Sequence, residues 1–224
     1  MKKVTCVILI LCMLFVLLVS CAPTPNNDRD TQGNTPAATP EPENQVDETY
    51  TKGTLTDTSF ESRFLNLRFD LPDGFIMATE EDMAELMNIG AETFGIESEA
   101  VDYALISTVY EMMATAPLGA PNVILIAEKL VFRNMTEEQY LNALKAQLSE
   151  VPGVDYTFPG DTESVVIAGE TYSKLVTELS AHGQTMYQDY IFRRLGDRMI
   201  GFIVTFTAET REDMKALMSN FRTY

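Results

Sequence analysis

Histidine is almost absent from this chain, with His182 the single copy in 224 residues, and tryptophan is missing altogether. One imidazole cannot build a multi-histidine metal site. Flanked by Ala181 and Gly183 at an expected turn, it is placed for solvent and not for orientation by a buried partner. Cysteine is scarce too: three copies, of which Cys6 and Cys12 sit in an apolar N-terminal run. Basic residues number 16 against 33 acids, a net charge of −17 that repels nucleic-acid phosphates and argues against DNA or RNA as a partner. No GxSxG elbow, GxGxxG fingerprint, Walker loop or HExxH helix occurs, so triad hydrolysis, dinucleotide binding and zinc catalysis have no motif behind them. Neither a cofactor nor a metal is expected. Long hydrophobic runs are also lacking. The run from Val4 to Val19 holds 16 residues, about 24 Å as a helix, which is short of the ~30 Å hydrocarbon core of a bilayer.

What is present begins with that run. Lys2 and Lys3 precede it and Leu18-Val19-Ser20-Cys21 closes it, the pattern of a cleaved secretory signal. The closing tetrapeptide resembles a bacterial lipobox, whose cysteine is lipidated before the chain is cut just ahead of it. The resemblance implies a signal peptide over 1–20, a diacylglyceryl group with palmitate-type chains on Cys21, and a domain held to the extracytoplasmic face of the cell membrane. Cleavage would leave 14 lysines and arginines against 33 acids, a net charge of −19, and one cysteine, so no disulfide within the chain. Acyl chains, at roughly 0.8 kcal/mol per buried methylene, are then expected to hold the membrane without help from electrostatics.

Residues 21–50 carry five of the ten prolines, Pro23, Pro25, Pro36, Pro40 and Pro42, among Asn, Thr, Glu and Asp, with almost no large apolar side chain. Nothing in that stretch offsets the entropy of ordering, so it reads as a disordered linker with an r.m.s. reach of roughly 30 Å.

From 51 to 224 the composition is that of one domain, long enough to bury a core without disulfides or metal. Lys52 to Ser59 and Arg63 to Leu71 read as strands, the second placing Leu65, Leu67 and Phe69 on one face, with Pro72-Asp73-Gly74 as a turn. Thr79 and Asp82 signal a helix start over 79–89, Ile96 to Ala104 reads as a short helix, and Leu105 to Ala114 with Asn122 to Phe132 reads as a hairpin. Thr136-Glu137-Glu138-Gln139 is a capping box opening a helix whose stripe is Tyr140, Leu141, Leu144 and Leu148. Four strands follow, Ser164 to Ile167, Thr171 to Ser180, Thr185 to Arg194 and Met199 to Phe206. Their turns are short enough for an antiparallel meander. Thr210 and Asp213 are expected to cap a last helix presenting Met214, Leu217, Met218 and Phe221. The fold class is α+β, an antiparallel sheet with helices packed on its faces.

The phrases Asn66-Leu67-Arg68-Phe69-Asp70-Leu71-Pro72-Asp73-Gly74-Phe75 and Val165-Val166-Ile167-Ala168-Gly169-Glu170-Thr171-Tyr172, with the closing run to Asn220-Phe221, resemble small extracytoplasmic lipoprotein domains of low-GC Gram-positive bacteria. Those domains are similar in turn to the PsbP-like superfamily, an α/β/α sandwich. The likeness covers about 54 to 222. It implies a binding or assembly factor, since such families include extrinsic photosystem subunits and a nuclear-transport GTPase partner, and it carries over no site residue.

Tyr187, Tyr190, Phe192, Arg193, Arg194 and Arg198 form an aromatic and basic cluster in an otherwise acidic sequence, a candidate docking patch for a protein or a cell-wall polymer, or else an ordinary strand pair. Asp155, Asp161 and Glu163 offer oxygen ligands around Pro159-Gly160, but their spacing is not that of an EF-hand loop. Glu80, Glu81, Asp82 and Glu85 suit a helix N-terminus. The methionines Met83, Met87, Met214 and Met218 fall on apolar helix faces as core filler, while one of Met112 and Met113 is expected to face solvent. No catalytic residue is identified. The sequence therefore predicts a membrane-anchored, non-enzymatic binding or assembly module. The alternatives are an envelope hydrolase with paired carboxylates and a transporter solute-binding protein.

Overall fold

A computed structural model describes residues 50–84, 107–181 and 183–224. The signal peptide, Leu18, Val19, Ser20, Cys21, the linker, the 96–104 helix, Glu85, Met87 and His182 lie outside the described residues. Among the described residues no helix is long and apolar enough to cross a membrane.

The strands in chain order are β1 (Thr54–Leu55), β2 (Ser59–Ser62), β3 (Leu67–Asp70), β4 (Ile76–Met77), β5 (Thr108–Thr115), β6 (Asn122–Lys129), β7 (Asp155–Thr157), β8 (Glu163–Ile167), β9 (Glu170–Ala181), β10 (Gln184–Leu195), β11 (Arg198–Phe206) and β12 (Phe221–Arg222). Two helices, α1 (Glu137–Ser149) and α2 (Arg211–Met218), lie wholly within the described residues, and residues 80–84 open another. The large sheet runs β4-β5-β6-β11-β10-β9-β7, with β8 also paired to β9, and every pairing is antiparallel. A second, four-stranded sheet runs β1-β2-β3-β12.

The centre is β11, all nine of whose residues are buried. One face of it packs Ile200, Phe202, Val204 and Phe206 against the small sheet through Phe60, Leu67, Phe69 and Phe221, and against α2 through Leu217. The other packs Met199 and Ile203 beneath Tyr140, Leu141, Leu144 and Leu148 of α1. Gly201 sits under the Phe192 ring of the neighbouring strand, where any Cβ would collide with it. The architecture is α+β as expected, and its layers are unequal: among the described residues α1 and the helical start at 80–84, through Met83, cover one side, and a small sheet flanked by a short helix covers the other.

Double coverage explains Met112 and Met113, which point to opposite faces and are both buried, contrary to the expectation of one exposed. The sequence reading holds for α1, whose capping box forms in full, with Gln139 N donating to Thr136 Oγ1 at 3.2 Å and Thr136 N to Gln139 Oε1 at 2.9 Å. It also holds for the meander of β9, β10 and β11 and for the hairpin of β5 with β6, except that β6 ends at Lys129 and not at Phe132, leaving Val131 and Phe132 exposed in a loop. At 79–82 the cap forms as read, with Asp82 N donating to Thr79 Oγ1 and Thr79 N to the Asp82 carboxylate.

Elsewhere the chain breaks where continuity was expected. Lys52 to Ser59 divides into β1 and β2 because Thr56 Oγ1 accepts from Ser59 N at 2.9 Å and closes a hydroxyl turn. Arg63 to Leu71 shortens to β3 because Asn66 takes a left-handed φ of 51°, which asparagine tolerates. Thr210 does not cap α2. Its hydroxyl accepts from Thr207 N at 2.9 Å instead. Phe221 leaves the helix for β12, where its ring lies 4.5 Å from Phe69 and 4.8 Å from Phe202.

Candidate functional site

The polar feature of the core grows from one irregularity in β5. Tyr110 and Met112 would share a face in a regular strand, yet they join opposite core clusters, because the register with β6 shifts between them. The bulge turns the intervening Glu111 toward the chain that leads into β1. There the carboxylate is fully buried, accepting from Tyr50 Oη at Oε1 and from Gly53 N at Oε2, both at 2.8 Å. Residues 50–55 thus form a strap whose polar anchors converge on one acid.

Arg198 completes the cluster from β11. It is 2% exposed, donates from a terminal guanidinium nitrogen to Ala127 O at 3.1 Å, and lies 3.6 Å from the centre of the Tyr50 ring. The Phe64 ring meets Tyr50 edge-on at 5.3 Å, and Lys52 pairs with Glu80. Burial pushes the Glu111 carboxyl above its ordinary value, while the Gly53 and Tyr50 hydrogen bonds and the charges of Lys52 and Arg198 pull it back. Burial lowers Arg198, which remains a cation. The cluster offers no nucleophile, and its chemistry is that of a clamp: a cation over a phenol ring and two donors on one carboxylate.

Two more buried acids stand apart from it. On the α1 face Glu128, 7% exposed, accepts from Tyr140 Oη at 2.6 Å, and burial raises its carboxyl to about 7. On the opposite face Asp189 of β10 meets Lys174 Nζ at 3.1 Å through Oδ2, while its Oδ1 has no hydrogen-bond partner. Burial raises Asp189 too, and Lys174 and Arg211 oppose the shift.

These acids do not form a pair. Glu111 and Glu128 belong to opposite faces of the sheet. Asp189 is three strands from β5 through Val204, Val123 and Ala114, a lateral distance of about 14 Å at 4.8 Å per strand. Glycosidase carboxylates stand roughly 5–9.5 Å apart.

The expected docking patch is dispersed. Tyr190, Phe192 and Arg198 are buried, Tyr190 bonded to Gln188 and Phe192 packed 4.8 Å from Tyr140. Tyr187 lies on the other face, half-buried between Phe206 at 5.5 Å and the Arg211 guanidinium at 4.7 Å. Arg193 bonds Glu170 at 2.8 Å and covers Tyr172, so that of the six only Arg194 is exposed. Adjacency along a strand sends alternate side chains to opposite faces, which is why a cluster in the sequence makes no patch in space. Asp155, Asp161 and Glu163 are exposed, and among the described residues no three acidic, histidine or cysteine side chains converge as a metal site would require. The sequence reading passed over Glu111, Glu128 and Asp189, although a lone acid inside an apolar strand was a visible signal for each.

No protein-family model matches the chain, and no curated protein matches its sequence. Among solved structures it is similar to cyanobacterial PsbP (CyanoP) from Synechocystis at 10% identity and a TM-score of 0.45, over 82% of this chain and 100% of that one. It is also similar to LpqN, involved in cell envelope biogenesis of Mycobacterium tuberculosis, at 13% identity and a TM-score of 0.40, over 70% and 83% of the two chains. A protein from Bacteroides thetaiotaomicron matches at 10% identity and a TM-score of 0.40, over 76% of this chain and 49% of its own. With TM-scores below 0.5, none of these likenesses bears on what the chain does.

Proposed function

We propose that this protein is a lipoprotein anchored through Cys21 to the extracytoplasmic face of the cell membrane, and that its α+β domain is a non-enzymatic binding or assembly module. The observation that carries the module reading is the dispersal of the buried acids. Glu111, Glu128 and Asp189 each bond a neighbour that holds the fold, at positions too far apart or on the wrong faces for paired acid and base work. The lipobox sequence, followed by a proline-rich stretch that ends at the strap, supports the anchor. A solute-binding protein usually closes two lobes on its ligand, and the described residues make one layered body, so that reading has less behind it.

The test is fractionation with mass spectrometry of the N-terminal peptide. The wild-type chain is expected in the membrane fraction, starting at an acylated Cys21 and open to protease added outside intact cells. Cys21→Ala is expected to be released or left as a precursor. A wild-type chain still starting at Met1 without lipid defeats the anchor, and turnover of a wall substrate by the purified protein defeats the module.

A further inference from the structure

The two ends of the large sheet differ in what they show to solvent. One end gathers the turn at 63–66, the loop at 130–135 between β6 and α1, the β10–β11 turn and residues 223–224. Leu130 N donates to Asp197 O at 2.8 Å, which ties the loop to the β10–β11 turn, and Tyr224 N donates to Asn66 O at 3.4 Å and Arg63 Nε to Tyr224 Oη at 3.1 Å, which tie the 63–66 turn to residues 223–224. Tyr50 belongs to the same end, pinned between Phe64 and Arg198, the first residue of β11. The linker behind Cys21 therefore reaches the domain here. The far end carries Glu150, Asp155 and Glu209 and the β5–β6 hairpin tip, whose Leu118 is 90% exposed.

At the near end the 130–135 loop exposes Val131 (75%) and Phe132 (46%) side by side, next to the exposed Arg133. Arg194 is exposed on the adjoining strand end, and Arg63 stacks on the half-exposed Tyr224 ring at 5.5 Å. The acids sharing this surface include Glu138 and Asp197, while Glu137 is engaged by Ser173 Oγ and Arg194 N.

We propose that this end docks on the anionic bilayer that holds Cys21, with Val131 and Phe132 entering the interface and Arg133, Arg194 and Arg63 meeting lipid phosphates. The proposal rests on the lipid-anchor reading above. What points to a membrane is the length of chain and the place where it arrives: 28 residues separate Cys21 from Tyr50, for which composition leads one to expect a reach of roughly 30 Å, and Tyr50 lies at this end and not the far one. Tethering at that reach sets an effective concentration near the millimolar range, so the contact needs little affinity of its own. The far-end acids lie roughly 40 Å away along the 12-residue strands, several Debye lengths at physiological salt, and do not oppose it. Acids between Cys21 and Tyr50, namely Glu41, Glu43, Asp47 and Glu48, do oppose it. Attraction at a distance is accordingly weak, and the apolar pair supplies the hold while the arginines act on contact.

The absence of tryptophan supplies a reporter. Full-length lipidated F132W and L118W proteins are placed in phosphatidylglycerol–phosphatidylcholine vesicles, with and without acyl-brominated lipid. F132W is expected to shift its emission to the blue and to be quenched at least about threefold more than L118W. Adding R133Q and R194Q is expected to weaken F132W docking by about fivefold per arginine. Equal quenching at the two positions overturns the proposal, as does equal quenching of F132W on phosphatidylcholine alone. A blue shift without bromine quenching that grows with protein concentration also overturns it and assigns the surface to a second copy. Failure of the anchor shows separately, as protein that does not sediment with vesicles; failure of docking leaves sedimenting protein with F132W unquenched.

Discussion

The two faces of the large sheet each bury one glutamate from adjacent strands, and they treat it differently. On the strap side Glu111 keeps two hydrogen-bond donors on its carboxylate and the charges of Lys52 and Arg198 nearby, and these oppose the upward pull of burial. On the helix side Glu128 has one phenol and no cation among the influences on it, and its carboxyl rises to about 7. Burial raises both carboxyls; two donors and two cations oppose the shift on one face, and a single phenol opposes it on the other. The covering layer sets which groups act against burial.

The strongest way to break the contrast is Arg198→Ala, which leaves Glu111 without its arginine and the Tyr50 ring without its cover. A loss of roughly 2–4 kcal/mol is expected from the lost Ala127 hydrogen bond, the cation over the Tyr50 ring and the buried stem, read as a fall in the urea midpoint. Combined with Glu111→Gln the loss should be less than the sum of the two single changes, because a neutral amide no longer calls for the cation.

Next comes pH. Glu128 has a folded value of about 7 against 4.5 ordinarily, so between those values the folded state holds more protons than the unfolded one. Stability then falls as pH rises through that window and levels off above it, by roughly 3 kcal/mol at 1.36 kcal/mol per unit. Urea midpoints at about pH 4.5 and about pH 8 measure the drop, and Glu128→Gln should remove its own share of it. What slope is left has the same sign, because Glu111 and Asp189 are raised too.

A smaller effect separates the two tyrosines. Tyr140→Phe takes from Glu128 its hydrogen-bond donor and should cost about 1–3 kcal/mol, and because that bond lowers the carboxyl the pH midpoint should move up. Tyr50→Phe leaves Gly53 N on Glu111 and should cost about 0.5–1.5 kcal/mol. Equal losses in calorimetry would erase the difference between the faces. The smallest change, Thr136→Ala, opens the capping box of α1 and should cost about 1 kcal/mol, with the strap untouched in hydrogen exchange.

The helix α1 is legible in the sequence because both its cap and its stripe lie within thirteen consecutive residues. The meander was legible because short turns join strands that pair with their neighbours. By contrast Glu111 meets Tyr50 across 61 positions of the chain and Gly53 across 58, and no local pattern announces such a meeting. The aromatic and basic run from Tyr187 to Arg198 misled for the converse reason: it was local in the sequence, and the strand divided it between two faces.

By itself, then, the order of residues determined the class of fold, the helix on one face, the strands of the meander and the acidic balance of the whole, since these follow from periodicity, capping and composition. Tertiary structure alone decided that both faces of β11 are covered, that a bulge aims Glu111 at the strap, that Glu128 titrates near neutrality, and that Val131 and Phe132 stand exposed at the end where Tyr50 docks. Each of those depends on which distant segments remove a group from water and which donors they bring with them, and that is settled only when the layers close.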